Sequence, residues 1–560
     1  MEHCLINKLN DCKNCYRCLR KCPIKSVSFV SDQSHIIFDD CIYCGKCYLE
    51  CPQKVILVRD DLTKAKRLVK YNEKVVVSLA PSFISYYIDY DIDSLFESIK
   101  KLGFINVEET AIGATIVKKA YDEMLEENHD IIISSCCHTI NLLVQKYYQK
   151  ALPYLADVLS PMLAHGKDIK ERYGKDTKVV FIGPCISKKD EADKNSQYID
   201  VALTFDDLDK WLNEEGIIPS PKTVKKYKEN SKARLFPTCG GIISTMECAN
   251  TNFDYIAIDG IDECKDVLQD IIDGKIHKCF IEMSACYGSC INGPLVQHKK
   301  SSIVNNKIAV KKSAGKEDFT EYKLKSEDVK FDYDNLLVHR ATPSEEEIQR
   351  TLKEMGKEKQ EKQLNCGTCG YFTCRDKAIA IIQGKATIEM CLPFLMEKSQ
   401  SFADKVVSNS TNGLMVLNED LDIQLINQAM CNIVEIPNAS YALNKNVTTI
   451  LDPVDYAKAL GGERVFSRKQ YLSEYDKYVK HTVVYDEKFH ALICIMTDIT
   501  KDEIYRQKRE ETLKKSIEIT DNVIEKNMRA VQEIASLLGE SAAATKVALS
   551  SLKETLKNDK

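Results

Sequence analysis

The chain has 560 residues, a formal charge of −5 from 83 acidic and 78 basic side chains, and 44% hydrophobic residues. That length exceeds one hydrophobic core and predicts several domains, while the near-balanced charge leaves no general nucleic-acid footprint. The start shows no basic-then-apolar signal, and no apolar run approaches the ~18–20 residues of a membrane span, so a cytoplasmic protein without membrane or nucleic-acid partners is expected. Cysteine is the outlier: 24 thiols, mostly in tight groups, which suit metal ligation better than disulfides in a reducing compartment.

Residues 1–60 form the first expected domain. Cys12, Cys15, Cys18 and Cys22, followed by Pro23, fit C-x2-C-x2-C-x3-C-P, and Cys41, Cys44, Cys47 and Cys51, followed by Pro52, repeat it. Three thiolates of one loop cap three corners of a cubane, and the fourth crosses to the other cluster. The spacing therefore assigns Cys12, Cys15, Cys18 and Cys51 to one [4Fe–4S] cluster, and Cys41, Cys44, Cys47 and Cys22 to a second. With a thiolate on every iron, such a bacterial-type 2×[4Fe–4S] ferredoxin domain transfers electrons.

From 72 to 310, apolar runs such as "KVVVSLAPSFI" and "KVVFIGP" alternate with helical stretches such as "TIVKKAYDEMLEE", which predicts an α/β domain. Three such runs end in cysteines: Cys136 and Cys137 in "SSCCHTI", Cys185 in "GPCISKKDE", and Cys286 and Cys290 in "IEMSACYGSCING". Loops after parallel strands meet at one sheet edge, where ligands bind. The charged stretch 311–334 is expected to be an edge or linker. A helix follows, with Thr342 as cap, Pro343 in its first turn, Glu345 completing a capping box and Gly356 ending it. Cys366, Cys369, Cys374 and Cys391, spaced C-x2-C-x4-C-x16-C within 342–400, resemble a small iron–sulfur module of anaerobic redox proteins, which implies an additional [4Fe–4S] domain. A zinc ion is the alternative.

Between 407 and 500, "NGLMVLNEDLDIQLIN" predicts strand, turn and strand, and "HTVVYDEKFHALICIMTDIT" a closing hairpin. Residues 501–560 are expected to be helical, interrupted at Gly539. Ile517, Ile524, Val531 and Leu538 recur at seven-residue steps, which suits a parallel dimer or a helix folded back on its own domain. Cys4, Cys239, Cys248, Cys264, Cys279, Cys431 and Cys494 belong to no motif and are expected to be buried or incidental.

On these motifs residues 5–300 resemble the [FeFe]-hydrogenases, whose signatures run TSCCPxW, MPCxxKxxE and MACxxGCxxG. The resemblance implies an iron-hydrogenase catalytic domain at 72–310 in which Cys137, Cys185, Cys286 and Cys290 hold a [4Fe–4S] cluster. Cys290 would also bridge to a two-iron subcluster carrying CO and CN⁻ ligands. Lys188 matches the lysine that hydrogen-bonds a cyanide, and Cys136 the proton-relay thiol. The departures are His138 and Ile140 for proline and tryptophan, Gly183 and Ser284 for methionines, and Lys118 and Lys119 for the acidic pair where protons enter. They imply slow turnover and a looser pocket. His138 is either a ligand or relay, or a packing residue.

Residues 407–500 resemble a PAS domain, whose pocket binds haem, flavin, a small molecule or nothing; His481 and His490 are the haem-ligand candidates. The domain order resembles the sensory branch of the [FeFe]-hydrogenases. It implies a multidomain α+β and α/β protein that interconverts H₂ with protons and electrons slowly. The implied partners are a ferredoxin-like electron donor or acceptor, the hydrogenase maturation enzymes, a second copy of the chain as homodimer, and a downstream signalling partner. The alternative is a non-catalytic iron–sulfur electron-transfer or redox-sensing protein lacking the two-iron subcluster.

Overall fold

A computed structural model describes residues 3–8, 11–30, 32–222, 231–247, 250–297, 301–338, 340, 342–462 and 465–558; Cys248 lies outside them. The chain forms two compact units, Met1–Leu395 and Met396–Lys560.

At the start of the first unit, strands Leu5–Asn7 and Ile56–Val58 pair antiparallel, as do Val27–Val30 and Gln33–Ile36. The short helices Arg17–Lys21 and Lys46–Glu50 each follow a left-handed residue, Tyr16 and Gly45, and end at the cysteine that precedes proline. The duplicated sequence is thus a duplicated loop–helix unit.

Two parallel sheets come next. In the larger, the order is Asn106–Glu109, Val75–Leu79, Lys178–Gly183, Val201–Thr204. In the smaller, Cys279–Ser284 lies between Asp254–Asp259 and Ile131–Ile133. Strands such as Val75–Leu79 are buried along their whole length, as parallel strands covered on both faces must be.

The 311–334 stretch is a strap and not a loose linker. Leu324 and Val329 are buried in the core of the α/β domain. The Lys323 and Leu324 amides donate to the Asp168 carboxylate at 2.8 and 3.3 Å, and the Phe331 amide to the Asp157 carbonyl at 2.8 Å. Charges dominate its composition because only a few apolar side chains turn inward. The next helix, Glu345–Glu354, is capped by Ser344 with Glu347 closing the box, two residues later than expected. Thr342–Glu345 and Ser344–Glu347 both spell a capping box, and the chain closes the second, with the Ser344 hydroxyl accepting from the Glu347 amide and the Glu347 carboxylate from the Ser344 amide.

In the second unit five antiparallel strands are ordered Ile423–Ile426, Gly413–Leu417, Ala491–Asp498, Lys477–Asp486, Val465–Leu472. The fold class is therefore multidomain α+β and α/β. A single helix, Thr500–Asn558, runs through Gly539 without a break. One exposed glycine costs a helix only about 1 kcal/mol, too little to interrupt one this long. Ile517, Ile524, Val531 and Leu538 are all exposed along it. Among the described residues no helix is long and apolar enough to cross a membrane.

Candidate iron–sulfur and active site

Three parallel strands deliver the thiols of the α/β domain. Ile131–Ile133 runs into Cys136 and Cys137, Lys178–Gly183 into Cys185, and Cys279–Ser284 into Cys286 and Cys290. Two cavities adjoin at these strand ends. One, of about 40 Å³, is lined by Cys137, Cys185, Cys286, Cys290 and also Cys44. The other, of about 110 Å³, is lined by Cys136, His138, Phe181, Lys188 and Phe236. Cys137, Cys185 and Cys290 wall both.

Burial pushes the Cys290 and Cys286 thiols far up, and neighbouring thiols push further: Cys185 and Cys137 act on both, and Cys44 on Cys286. Taken as whole residues, Cys137, Cys185 and Cys286 are half-buried and Cys290 is exposed at the surface; four thiolates so crowded repel one another, and iron's positive charge removes that cost. Two hydroxyls add to the fit. Ser289 Oγ lines the first cavity and Ser82 Oγ the second, and each is buried without a hydrogen-bond partner among the described residues. A sulfide or an anionic iron ligand would satisfy such donors. Among the described residues no three His, Cys, Asp or Glu side chains converge on a single metal-ion position; thiolates on the corners of a cubane are held apart by its width.

Lys188 lines the second cavity, and its ammonium donates to the Cys136 carbonyl at 3.2 Å and to Glu191 at 2.5 Å. Burial alone would discharge it, but Glu191, with Cys185 and Cys137 behind, holds its pKa above the usual lysine range. Glu191 was missed in the sequence, although an acid three residues after the lysine was a legible signal. Cys136 Sγ lies 3.3 Å from the Tyr121 hydroxyl, and burial pushes its thiol up to about 12. His138 begins the helix His138–Tyr147, with Nε2 2.8 Å from Asp190. Asp190 also pairs with Lys194, so His138 belongs to a carboxylate network as well as to the cavity wall.

The departures from the family pattern have local explanations. A Cβ on Gly183 would stand 2.6 Å from the Phe181 ring, which already fills that space and lines the second cavity, so the pocket is not loosened there. Ile140 is a fully buried core residue, and Ser284 lines the first cavity. Lys118 is buried and bonded to Asp318, Glu247 and the Thr245 carbonyl; Lys119 reaches Tyr322. Neither lysine is bonded to Cys136.

In the N-terminal region the last cysteine of each run acts on thiols of the other run. Burial pushes Cys18 up to about 12, with Cys12, Cys15 and Cys51 as the neighbouring thiols. Burial pushes Cys41 and Cys44 to about 12, with Cys22 the first thiol acting on each. Gly45 explains the contact with the α/β domain. At φ 73°, a Cβ there would stand 2.7 Å from Ile186 and 2.9 Å from Pro294, so only glycine lets the Cys44 loop sit against the first cavity.

Cys366, Cys369, Cys374 and Cys391 gather in the 363–393 region, where the Cys369 and Cys391 thiols and the Lys377 ammonium act on one another. The region packs on the ferredoxin-like start. A Cβ on Gly370 (φ 97°) would stand 2.8 Å from Leu19, Arg20 donates to the Thr368 carbonyl at 3.0 Å, and Lys385 pairs with Asp40. Tyr371 feels both Cys369 and Cys22. In the second unit, His481 is buried with Nε2 3.2 Å from Cys494 Sγ and Nδ1 3.4 Å from Asp455, while exposed His490 pairs with Glu419. Of the cysteines outside motifs, Cys4, Cys264, Cys279, Cys431 and Cys494 are buried and Cys239 is half-buried.

Residues 73–294 match the family described as "Iron only hydrogenase large subunit, C-terminal domain", 11–56 "4Fe-4S dicluster domain" and 363–393 "Putative Fe-S cluster". No curated protein matches. Among solved structures, a variant of [FeFe]-hydrogenase HydA1 from Chlamydomonas reinhardtii is similar at 17% identity, over 50% of this chain and 100% of that one, with a TM-score of 0.39. A HydA structure described for stepwise [FeFe]-hydrogenase H-cluster assembly matches at 17% identity over 45% and 88%, with a TM-score of 0.36. The PAS domain of an HTR-like protein from Haloarcula marismortui matches at 18% identity over 18% and 99%, with a TM-score of 0.15. The chain thus carries a hydrogenase-like domain at 73–294 together with iron–sulfur cluster regions at 11–56 and 363–393.

Proposed function

We propose that this is a cytoplasmic [FeFe]-type hydrogenase of low turnover (2H⁺ + 2e⁻ ⇌ H₂) whose redox state is passed to its PAS unit. The observation that carries the reading is the pair of adjoining cavities with Cys137, Cys185 and Cys290 in their shared wall. The first suits a cubane held by Cys137, Cys185, Cys286 and Cys290. The second, lined by Phe181, Phe236, Pro184 and Met162 with only a few polar groups, suits a two-iron unit joined through Cys290. When bound, that unit supplies the iron at which the H–H bond is made or cleaved. The chain's own residues do the rest. Lys188, kept charged by Glu191, and Ser82 present donors to an anionic iron ligand. The apolar wall excludes water, and Cys136 holds a proton at Sγ beside the cavity.

Electrons would travel through the two N-terminal clusters, with the Cys44 loop as the contact to the α/β domain. The 366–391 cluster, packed against that module, would be a further terminal. Its last thiol, Cys391, immediately precedes the helix Leu392–Asn409, through which the chain enters the second unit. There the exposed stripe of Thr500–Asn558 would pair two copies of the chain and present them to a signalling partner.

The test is the infrared spectrum of protein matured with the hydrogenase assembly enzymes. Intrinsic CO and CN⁻ stretches are expected, and they should vanish in Cys290→Ser. A matured protein with sound cubane signals and no such bands would instead be a non-catalytic electron carrier or redox sensor.

A further inference from the structure

We propose that a cleft at the edge of the 363–393 region binds a mononucleotide, a planar heteroaromatic ring that carries a phosphate. The inference does not depend on the hydrogenase reading. The cleft, of about 590 Å³, opens where that region meets the Pro23 loop and two helices of the α/β domain, His138–Tyr147 and Ile261–Ile272. Its volume falls among those of small-molecule sites, and its described lining contains no cysteine, which sets it apart from the cluster positions.

Aromatic surface is the first feature that selects the ligand. Phe372 lines the cleft and is 75% exposed, although burial would favour so large an apolar ring. Lys25 Nζ stands 4.9 Å from the centre of that ring, and the Arg340 guanidinium 5.4 Å from that of Tyr147. Tyr148, half-buried, adds a third ring to the same lining. Rings gathered in a cleft beside cations stack on a planar heterocycle with little regard to its pattern of hydrogen-bonding groups.

Positive charge is the second. Lys25, Lys265, Arg340 and Lys385 share the described lining with one acid, Asp376, whose carboxylate accepts from the Thr373 amide at 3.1 Å in the cap of its own helix. The cations are only partly neutralised. Lys25 Nζ donates to the Leu19 and Arg20 carbonyls at 3.0 and 3.1 Å, and Lys265 Nζ to the Pro23 carbonyl at 3.3 Å, with Asp262 3.5 Å away. Arg340 and Lys385 share the single carboxylate of Asp40. Two buried polar atoms of lining residues also lack a hydrogen-bond partner among the described residues: Arg340 Nε and the hydroxyl of Tyr371, a residue only 4% exposed. An anion with several acceptor oxygens answers both the excess charge and the unmet donors, and a phosphate monoester is such a group. Ring and phosphate together define a mononucleotide.

The position of the cleft gives the ligand a use. Pro23 directly follows Cys22, and Tyr371 and Phe372 lie between Cys369 and Cys374. A molecule bound across them ties two cysteine loops together and holds the 363–393 region against the rest of the first unit.

The experiment titrates full-length protein carrying its cubanes, under anaerobic conditions, with flavin mononucleotide, adenosine monophosphate, riboflavin, adenosine and inorganic phosphate, followed by calorimetry. At least one of the two nucleotides should bind once per chain, at least about tenfold more tightly than its phosphate-free form and than inorganic phosphate. Phe372→Ala and Lys265→Gln, an exposed and a half-buried position, should each weaken it at least about tenfold, while Lys101→Gln, outside the cleft, leaves it unchanged. Bound nucleotide should also slow hydrogen exchange across 371–385, and cubane absorption reports that each variant is folded. The proposal is overturned if neither nucleotide binds at about 1 mM, or if inorganic phosphate binds as tightly as both of them. It is equally overturned if Phe372→Ala and Lys265→Gln both bind like wild type, which would assign the nucleotide to another part of the chain, such as the 396–560 unit.

Discussion

The α/β domain and the 396–560 unit each hold a cysteine beside a tyrosine, half-buried Cys136 and buried Cys494, and their surroundings differ. Cys136 has Tyr121 on one side and a cavity on the other. Cys494 is fully buried, with His481, Tyr456 and Asp455 packed around it. A polar group that borders a cavity has a face left for chemistry, whereas one whose neighbours are all protein is part of the core. The surfaces differ too. The first unit folds even its charged strap onto itself, while the second leaves a 59-residue helix with its apolar stripe exposed. The first gathers its candidate site inside the fold; the second leaves its apolar stripe at the surface.

The largest expected effect breaks that contrast at the thiols. Cys286→Ser should lose a cubane, lowering iron from about eighteen atoms per chain to about fourteen or fewer, and abolish any H₂ turnover, while Cys494→Ser leaves the iron unchanged. Iron analysis decides it; full iron in Cys286→Ser would remove the α/β site from consideration. Next, Ile524→Asp should shift the full chain from dimer to monomer in sedimentation, weakening association by at least about a hundredfold. A wild-type monomer at every concentration would mean that the stripe has another use. Cys136→Ala should lower turnover at least about tenfold with cubane spectra intact, and unchanged turnover would make Cys136 only a neighbour.

A smaller change is expected at the contact between iron–sulfur regions. Gly370→Val brings a side chain against Leu19 at φ 97° and should loosen the 363–393 region by about 1–3 kcal/mol, seen as faster hydrogen exchange there. The smallest concerns buried Glu282, whose carboxyl burial raises from 4.5 to about 7 against the lowering bonds of backbone amides. The folded state keeps this proton over a window where the unfolded chain has lost it. Its contribution is therefore complete below pH 4.5 and lost as pH rises through about 7, by at most roughly 3 kcal/mol. Glu282→Gln should flatten that slope in anaerobic denaturation followed by circular dichroism.

The cysteine groups were legible in the sequence because a cluster's loop is local: spacing within ten or twenty residues says how many thiolates can meet one body. Strand ends were legible for a similar reason, since apolar runs mark buried parallel strands and ligands gather after them. The cap at Ser344 and the unbroken helix at Gly539 were not, because two overlapping capping boxes compete at 342–347 and because one glycine's weak preference is outweighed by so long a helix. Only the tertiary structure decided the rest. Gly45 and Gly370 become docking points through what lies opposite them, Ile186, Pro294 and Leu19. Phe181 fills the space that Gly183 leaves, and Tyr121 meets Cys136 and Ser135 from a different helix. Spacing along a chain encodes which groups can share a ligand, but contacts between distant segments depend on the shape of both surfaces, and that exists only after folding.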